Sequence, residues 1–384
     1  DKYARHGIRY HEFKDFEQAQ ACGNFYQSIE RKKLRKLMGW DVHLFGLKAG
    51  DDVKAAGLVM IKDGTARLAL GPILDYKKPN LLRDFMEYLV EFCKKENLIE
   101  IEVFPPVLMS VRDVHGEKIS ENDCSKIKQV FSDLGFSYKG ETVEIENVAN
   151  RWMCVKDLSE IHNQDELRAT YKKNVRNKLR KVSPLLEIDE LTDKSQLGDF
   201  YVAITDSDKK NGVVSRKIDY WEDVWDTFGD KAHFVVVRKK ETGEPVCARV
   251  HFDHPNEVVT FVSGTVQRFK RLNGMTFLQD WTLNNTVERG YKRINFYGLR
   301  GDFSKENHLL EFKSGFGVVI EEYVGGFNLI LDPKRYRARE MRENVKNLAR
   351  KVKREGVKLA DKLRKRQTKV VRKVVAKEES VEKK

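Results

Sequence analysis

Between Arg168 and Lys181 seven residues are basic, namely Arg168, Lys172, Lys173, Arg176, Lys178, Arg180 and Lys181, and none is acidic. Leu167, Tyr171, Val175, Leu179 and Val182 recur through the same stretch at three- and four-residue spacing, which predicts one amphipathic helix closed by Pro184. Seven cations without a counter-charge exceed what solubility asks of a solvated helix face, and they suit an anion, either phosphate or an RNA backbone. A second basic stretch ends the chain: residues 334–384 hold 21 Lys and Arg against 7 Asp and Glu. The first 333 residues hold 51 and 52, so the +13 of this 384-residue chain belongs to the tail and the body is nearly neutral. Met341, Val345, Leu348, Val352, Leu359 and Leu363 line one face of a predicted tail helix, which Gly356 should weaken. Such a tail can lie on an anionic membrane surface, track RNA, or stay solvated. The absence of Trp and Phe after Phe327 argues against deep insertion.

Other chemistries find little support. The nine histidines form no ligand-spaced cluster; His251 and His254 flank Asp253 in HFDHPNE, which reads as a hairpin turn and not as a metal site. Cys22, Cys93, Cys124, Cys154 and Cys247 lie far apart with no CxxC pair, which suits a reducing cytoplasm. There is no GxxxxGK[ST], HExxH, GxSxG or helix-opening GxGxxG, so nucleotide hydrolysis, zinc proteolysis and triad hydrolysis are not expected. Coenzyme A would want a glycine-rich turn at a helix N-terminus, and QRFKRLNGM offers only Gly274. No apolar run approaches the roughly 20 residues of a membrane-spanning helix, and Asp1 to Arg9 lacks the apolar core of a signal peptide.

The elements that must position these residues occur twice. VHLFGLKAGDDVKAAGLVMIKDGTARLALGPI from Val42 and AHFVVVRKKETGEPVCARVHFDHPNEVVTFVSGTV from Ala232 each read as three strands joined by two turns. A helical stretch follows each, Asn80 to Lys95 and Gly274 to Arg289, and then another strand, IEIEVFPP or KRINFYGL. Both halves close on a Gly-Phe pair ahead of a Tyr and a Gly. This duplication predicts an α/β (α+β) protein of two acetyltransferase-like modules side by side, with a cleft between them for a substrate.

The segments GNFYQSIERKKLRKLMGWDV, LGPILDY, NGVVSRKIDYW, INFYGLRGDF and EFKSGFGVVIEEYVGGFNLILDP, with the basic helix, resemble the Fem family of peptidoglycan branch-peptide aminoacyltransferases. They stand in the family's order across roughly residues 10 to 340. The resemblance implies two tandem GNAT-type domains, the first from residues 1–152 plus about 325–340, the second 153–324, and a basic tail 341–384. It implies a cytoplasmic enzyme, peripheral at the inner membrane face, that carries an aminoacyl group from a charged tRNA to the stem peptide of lipid II or its soluble UDP-linked counterpart. No cofactor is expected; aminoacyl-tRNA is the co-substrate. The sequence departs from some relatives in lacking a coiled-coil arm in the second domain, where only KKETGEP joins two strands, and in having Pro105 where relatives tend to carry an acid.

Such a transfer needs a neutral amine, stabilisation of an oxyanion and a proton for the leaving ribose oxygen. A lysine-type amine with a pKa near 10.4 is neutral in only about one molecule in a few thousand at pH 7, so the site must assist. By the resemblance, Lys313 of EFKSGF, beside Phe312, stabilises charge in the substrate channel. Arg216 and Lys36, with Arg35 as an alternative to Lys36, contact the precursor's phosphates. A salt bridge of Arg216 with Asp219 or Glu222 is the competing expectation. Tyr297 and Gly298 end a strand at the cleft; Asp302 and Glu306 are both open as proton acceptors, as is a substrate phosphate; and Lys172, Lys173, Arg176, Arg180 and Lys181 bind tRNA or phosphate. A coenzyme A-dependent N-acyltransferase and a non-catalytic RNA-binding protein are the rival functions.

Overall fold

Asp63 and Gly64 adopt φ of 51° and 77°, the mirror-image turn that matches the twist of the strands it joins. It links β3 (Asp52–Lys62) to β4 (Thr65–Ala69), and β2 (Asp41–Ala49) pairs antiparallel with β3 to complete a meander. Helix α3 (Pro79–Lys95) buries Leu82, Phe85, Met86 and Leu89 and returns the chain to β6 (Glu100–Phe104), parallel to β4. The second half repeats this path: β12 (Ala232–Lys239), β13 (Pro245–His254) and β14 (Glu257–Thr265) run antiparallel, α9 (Gly274–Glu288) crosses over, and β15 (Arg293–Gly298) lies parallel to β14. Residues 240–244 alone connect β12 to β13.

This computed structural model describes residues 3–381, and within them the halves give two sheets. The first is ordered β1 (Ala4–Gly7), β2, β3, β4, β6, β17 (Phe327–Ile330), β9 (Ser137–Tyr138), with β5 (Ile73–Leu74) on β3. The second is ordered β11 (Leu186–Glu190), β12, β13, β14, β15, β10 (Trp152–Asp157), β16 (Val319–Tyr323), β7 (Leu108–Arg112), β8 (Lys118–Glu121). The hairpin β7–β8, drawn from the stretch expected in the first domain, therefore belongs to the second sheet. Glu322 holds it there, accepting from Ser110 Oγ at 2.7 Å and pairing with Arg112 and the fully buried Arg151.

The remaining helices are α1 (Tyr10–Ala19), α2 (Ile29–Leu37), α4 (Ser125–Asp133), α5 (Gln164–Ala169), α6 (Lys173–Val182), α7 (Leu197–Asn211), α8 (Ile218–Phe228), α10 (His308–Ser314) and α11 (Pro333–Val381). One core joins both sheets: Phe25 stacks on Phe252 at 4.7 Å and on Phe228 at 5.7 Å, and Tyr26 and Leu34 share the cluster with Trp221 and Val224. Burying each such aromatic contributes on the order of 2 kcal/mol, and this packing sets α2 beside α8.

The chain from Ile330 on is a separate unit. Asp332 accepts from the backbone N–H of Lys334 and Arg335, and Pro333 opens the helix, so it starts before the expected 341 and continues through Gly356. Met341, Val345, Leu348, Val352, Leu359 and Leu363 are all more than half exposed. No described helix is long and apolar enough to cross a membrane.

Candidate active site

Strands β4 and β6 pair from Thr65 to Ala69, whereas β14 and β15 pair only at Val258–Ile294 and Val259–Asn295. The difference lies in two bulges. Phe261 is an extra residue against β13, and β15 takes three steps against two of β10 at Tyr297, whose φ is 71°. The strands part, and a cavity of about 630 Å³ opens between them, floored by α9 and closed by α10. Lys313, Phe312, Tyr297 and Gly298 line it, with Arg249 and Gln279 below and Thr260 to Thr265 along one wall.

Among the described residues no carboxylate lines this cavity. Lys313 is 8% exposed and donates from Nζ to the Phe296 carbonyl at 2.7 Å, leaving two donors for a guest. Burial lowers its pKa to about 8, with nearby Arg249 adding to the drop and Cys154 opposing it. Lys156, also lowered to about 8 by burial, makes a useful contrast: its ammonium donates to Thr170 Oγ1 and the carbonyls of Phe316 and Gly317, so it is structural. Arg249 is buried too, its pKa lowered to about 10 by desolvation; Nη1 reaches Thr282 Oγ1 at 3.3 Å and Nε has no partner.

The glycines here serve packing. A Cβ on Gly298 would lie 2.1 Å from Asn150 Cγ, and one on Gly274 would lie 2.7 Å from Val246 Cγ1. The single glycine at the α9 N-terminus is thus spent on seating the helix. Gly317, at φ 68°, would bring a Cβ to 2.7 Å from the Thr170 carbonyl. Gly317→Ala should therefore destabilise the fold by about 2–4 kcal/mol in chemical denaturation, while Gly356→Ala, with nothing within 4 Å, should be neutral or slightly stabilising.

That tight turn also corrects the basic helix, which is two helices and not one. Lys156 grips Thr170, the Lys172 N–H donates to the Gly315 carbonyl and Lys172 Nζ reaches Ser314 Oγ, so tertiary contacts break the helix between α5 and α6. Leu167, Tyr171, Val175, Leu179 and Val182 are buried as their spacing predicts. Arg168 is not free, because it forms a two-pronged pair with Asp280. Lys173 and Lys181 are exposed, Arg176 donates to the Tyr171 carbonyl, Arg180 bonds Asn177, and Arg168, Arg176 and Arg180 line a cavity of about 420 Å³.

A second cationic group forms where α2 meets α8. Arg31 is buried with its guanidinium over Phe25 at 5.2 Å and Tyr26 at 5.1 Å. Arg35 is part-buried over Trp40, and burial with the charges of Arg31 and Arg216 lowers its pKa to about 10. Arg216 stacks over Tyr220 at 4.3 Å and makes no ion pair with Asp219 or Glu222, while Lys36 is exposed nearby on α2. Among the described residues none of these four cations has an acidic partner. Tyr26 connects the two groups: it stacks on Tyr297 with ring centroids 6.1 Å apart, and their hydroxyls hydrogen-bond. Burial raises the pKa of both phenols, keeping them neutral.

Asp302 and Glu306 do not line the Lys313 cavity; Asp302 instead caps the turn to Ser304. His254 is paired with Glu17, and His251 is buried and neutral. Sequence reasoning missed Arg31, Arg249 and Gln279. Arg249 is the lone cation within VCARV, and Arg31 lies one helical turn before Arg35.

The sequence pattern of the FemAB family matches residues 8–240 and 237–344. The aminoacyltransferase FemA of Staphylococcus epidermidis is 24% identical over 388 residues, covering 82% of this chain and 93% of that one. FemA of Staphylococcus aureus is 23% identical, covering 82% and 92%. The crystal structure of FemX is similar in fold, with a TM-score of 0.75 at 16% identity over 87% of this chain and 99% of that one. A tandem GNAT protein from the clavulanic acid biosynthesis pathway shares the architecture, with a TM-score of 0.53 at 10% identity over 84% and 95%. With two acetyltransferase-like sheets and a family pattern that spans the body of the protein, the chain belongs to the FemAB family.

Proposed function

We propose that this FemAB-family aminoacyltransferase takes its acyl group from an aminoacyl-tRNA and passes it to the stem peptide of a diphosphate-linked peptidoglycan precursor, extending an interpeptide branch in the cytoplasm. The observation that carries the reading is the pairing of two cationic groups with no acidic partner among the described residues: Arg35 and Arg216 beside the buried Arg31, with Lys36 exposed on the same helix as Arg35, suited by charge to a diphosphate, and Lys313 in the cavity beyond the Tyr26–Tyr297 pair. In this reading the acceptor amine attacks the ester carbonyl, Lys313 donates to the oxygen as it gains charge, the bond to the ribose oxygen breaks, and that oxygen takes up a proton. With no carboxylate lining the cavity, the proton lost by the amine passes to a substrate phosphate or water. Lys172, Lys173, Arg176, Arg180 and Lys181 supply phosphate contacts for the tRNA. No metal or cofactor is required.

The test is to incubate the protein with a pool of charged tRNAs and either lipid-linked or UDP-linked precursor, and to follow amide formation. Transfer from tRNA supports the reading; transfer only from acetyl-coenzyme A, or RNA binding without transfer, replaces it. We also propose that the tail helix meets an anionic membrane surface, where each basic residue contributes on the order of 1 kcal/mol. Removing residues 343–384 should then lower activity on vesicle-embedded precursor by roughly tenfold or more while sparing a soluble analogue. Equal loss on both would remove the membrane role.

A further inference from the structure

The mechanism uses Lys313 but leaves two polar groups beneath it unexplained. Arg249 projects from β13 and is 5% exposed, yet no acid faces it; one guanidinium nitrogen touches Thr282 and Nε has no partner. Gln279, on α9, is fully buried with neither its amide nitrogen nor its oxygen bonded. Both line the 630 Å³ cavity. Arg151, also buried, is answered by Glu322, and the part-buried Arg293 by Glu257 and Glu321, whereas Arg249 shares with Arg31 the lack of an acidic partner among the described residues. Burying an uncompensated guanidinium beside an unbonded amide is costly to folding, so the arrangement makes physical sense when a guest brings the missing negative oxygens.

We propose that Arg249 and Gln279 form an anion subsite at the floor of the Lys313 cavity, receiving a carboxylate or phosphate group carried by the acyl donor. The proposal rests on reading the cavity as the donor's site. A guanidinium with a free edge matches two oxygens of either group, and the Gln279 amide adds a further donor. Two sources on the donor share this chemistry: an acidic side chain on the transferred acyl group, or the phosphate of the terminal nucleotide.

The experiment is calorimetric titration of the full chain at fixed ionic strength, which needs no transfer reaction and so fails independently of the proposed function. The probes are adenosine 5′-monophosphate against adenosine, and N-acetylaspartate against N-acetylalanine amide. The expected result is a preference of at least about tenfold for the anionic member of one pair, reduced to under about twofold in Arg249→Met and partly kept in Arg249→Lys. The nucleotide pair responding assigns the phosphate; the aspartate pair responding assigns the side chain. Arg249→Met should also melt about 2 °C or more above wild type without ligand, because it removes an unmatched buried charge, and inorganic phosphate should raise the melting temperature of wild type more than that of Arg249→Met, which keeps the Arg35 and Arg216 cluster. No anion preference in wild type, or one that survives Arg249→Met, overturns the proposal. So does a lower melting temperature in Arg249→Met, which would mark the arginine as structural.

Discussion

Lys313→Met should reduce transfer by about a hundred- to a thousandfold, the usual worth of a donor aimed at a developing oxyanion, while the protein keeps or gains thermal stability. Methionine matches the lysine stem in length and removes a buried charge whose one protein partner is a backbone carbonyl. The pH dependence carries the signature. The Lys313 pKa of about 8 lies below the lysine value, so its ammonium contribution is present below pH 8 and fades as pH rises through it. The acceptor amine gains neutral fraction about tenfold per unit up to its own pKa near 10.4, so the wild-type rate should climb to about pH 8, level off above it as the two effects cancel, and fall only beyond about 10.4. In Lys313→Met the residual rate should keep climbing past pH 8 without that plateau. Stability has its own window. Folded Lys313 loses its proton near pH 8 and unfolded lysine near 10.4, so the wild type should gain stability between those values and the variant should not. Full activity in Lys313→Met would sink the assignment.

The sequence made the two meanders legible because their registers are set by turn chemistry that sits in the chain itself, as at Asp63–Gly64. The apolar face of the basic segment was legible for the same reason, since Leu167 to Val182 keep helical spacing whichever partners they meet. What escaped is what depends on distant residues. The break before α6 is imposed by Lys156 and the Gly315–Gly317 turn, more than 140 residues away from each other. The move of β7–β8 onto the second sheet depends on Glu322, which no local pattern around Leu108 foretells. The cavity itself follows from two bulges that split β14 from β15, and a bulge is a mismatch between strands, invisible in either one alone. Lys313, Arg216 and Lys36 are candidates through family resemblance. Their neighbours Arg31 and Arg249 left only the trace of a cation at an inward position.

The arginine cluster makes the second strong prediction, because Arg35 comes from α2 and Arg216 from the loop that leads into α8, and they meet only when the two halves of the body pack. Arg35→Ala and Arg216→Ala should each raise KM for the lipid-linked precursor by about tenfold to a hundredfold, the range for losing a charge-assisted hydrogen bond, with kcat changed little. The double variant should fall short of the product of the two, since both cations answer one dianion. Lys36→Ala, at an exposed position, should cost only a few-fold. Arg31 plays a different part: sandwiched against Phe25 and Tyr26, it holds the Tyr26–Tyr297 pair in place. Arg31→Met should thus lower kcat more than it raises KM. A truncated acceptor peptide without the diphosphate should be used equally well by wild type and by the Arg35 and Arg216 variants. If those variants lose kcat on the peptide as well, the cluster serves the chemical step, and its reading as a diphosphate site fails.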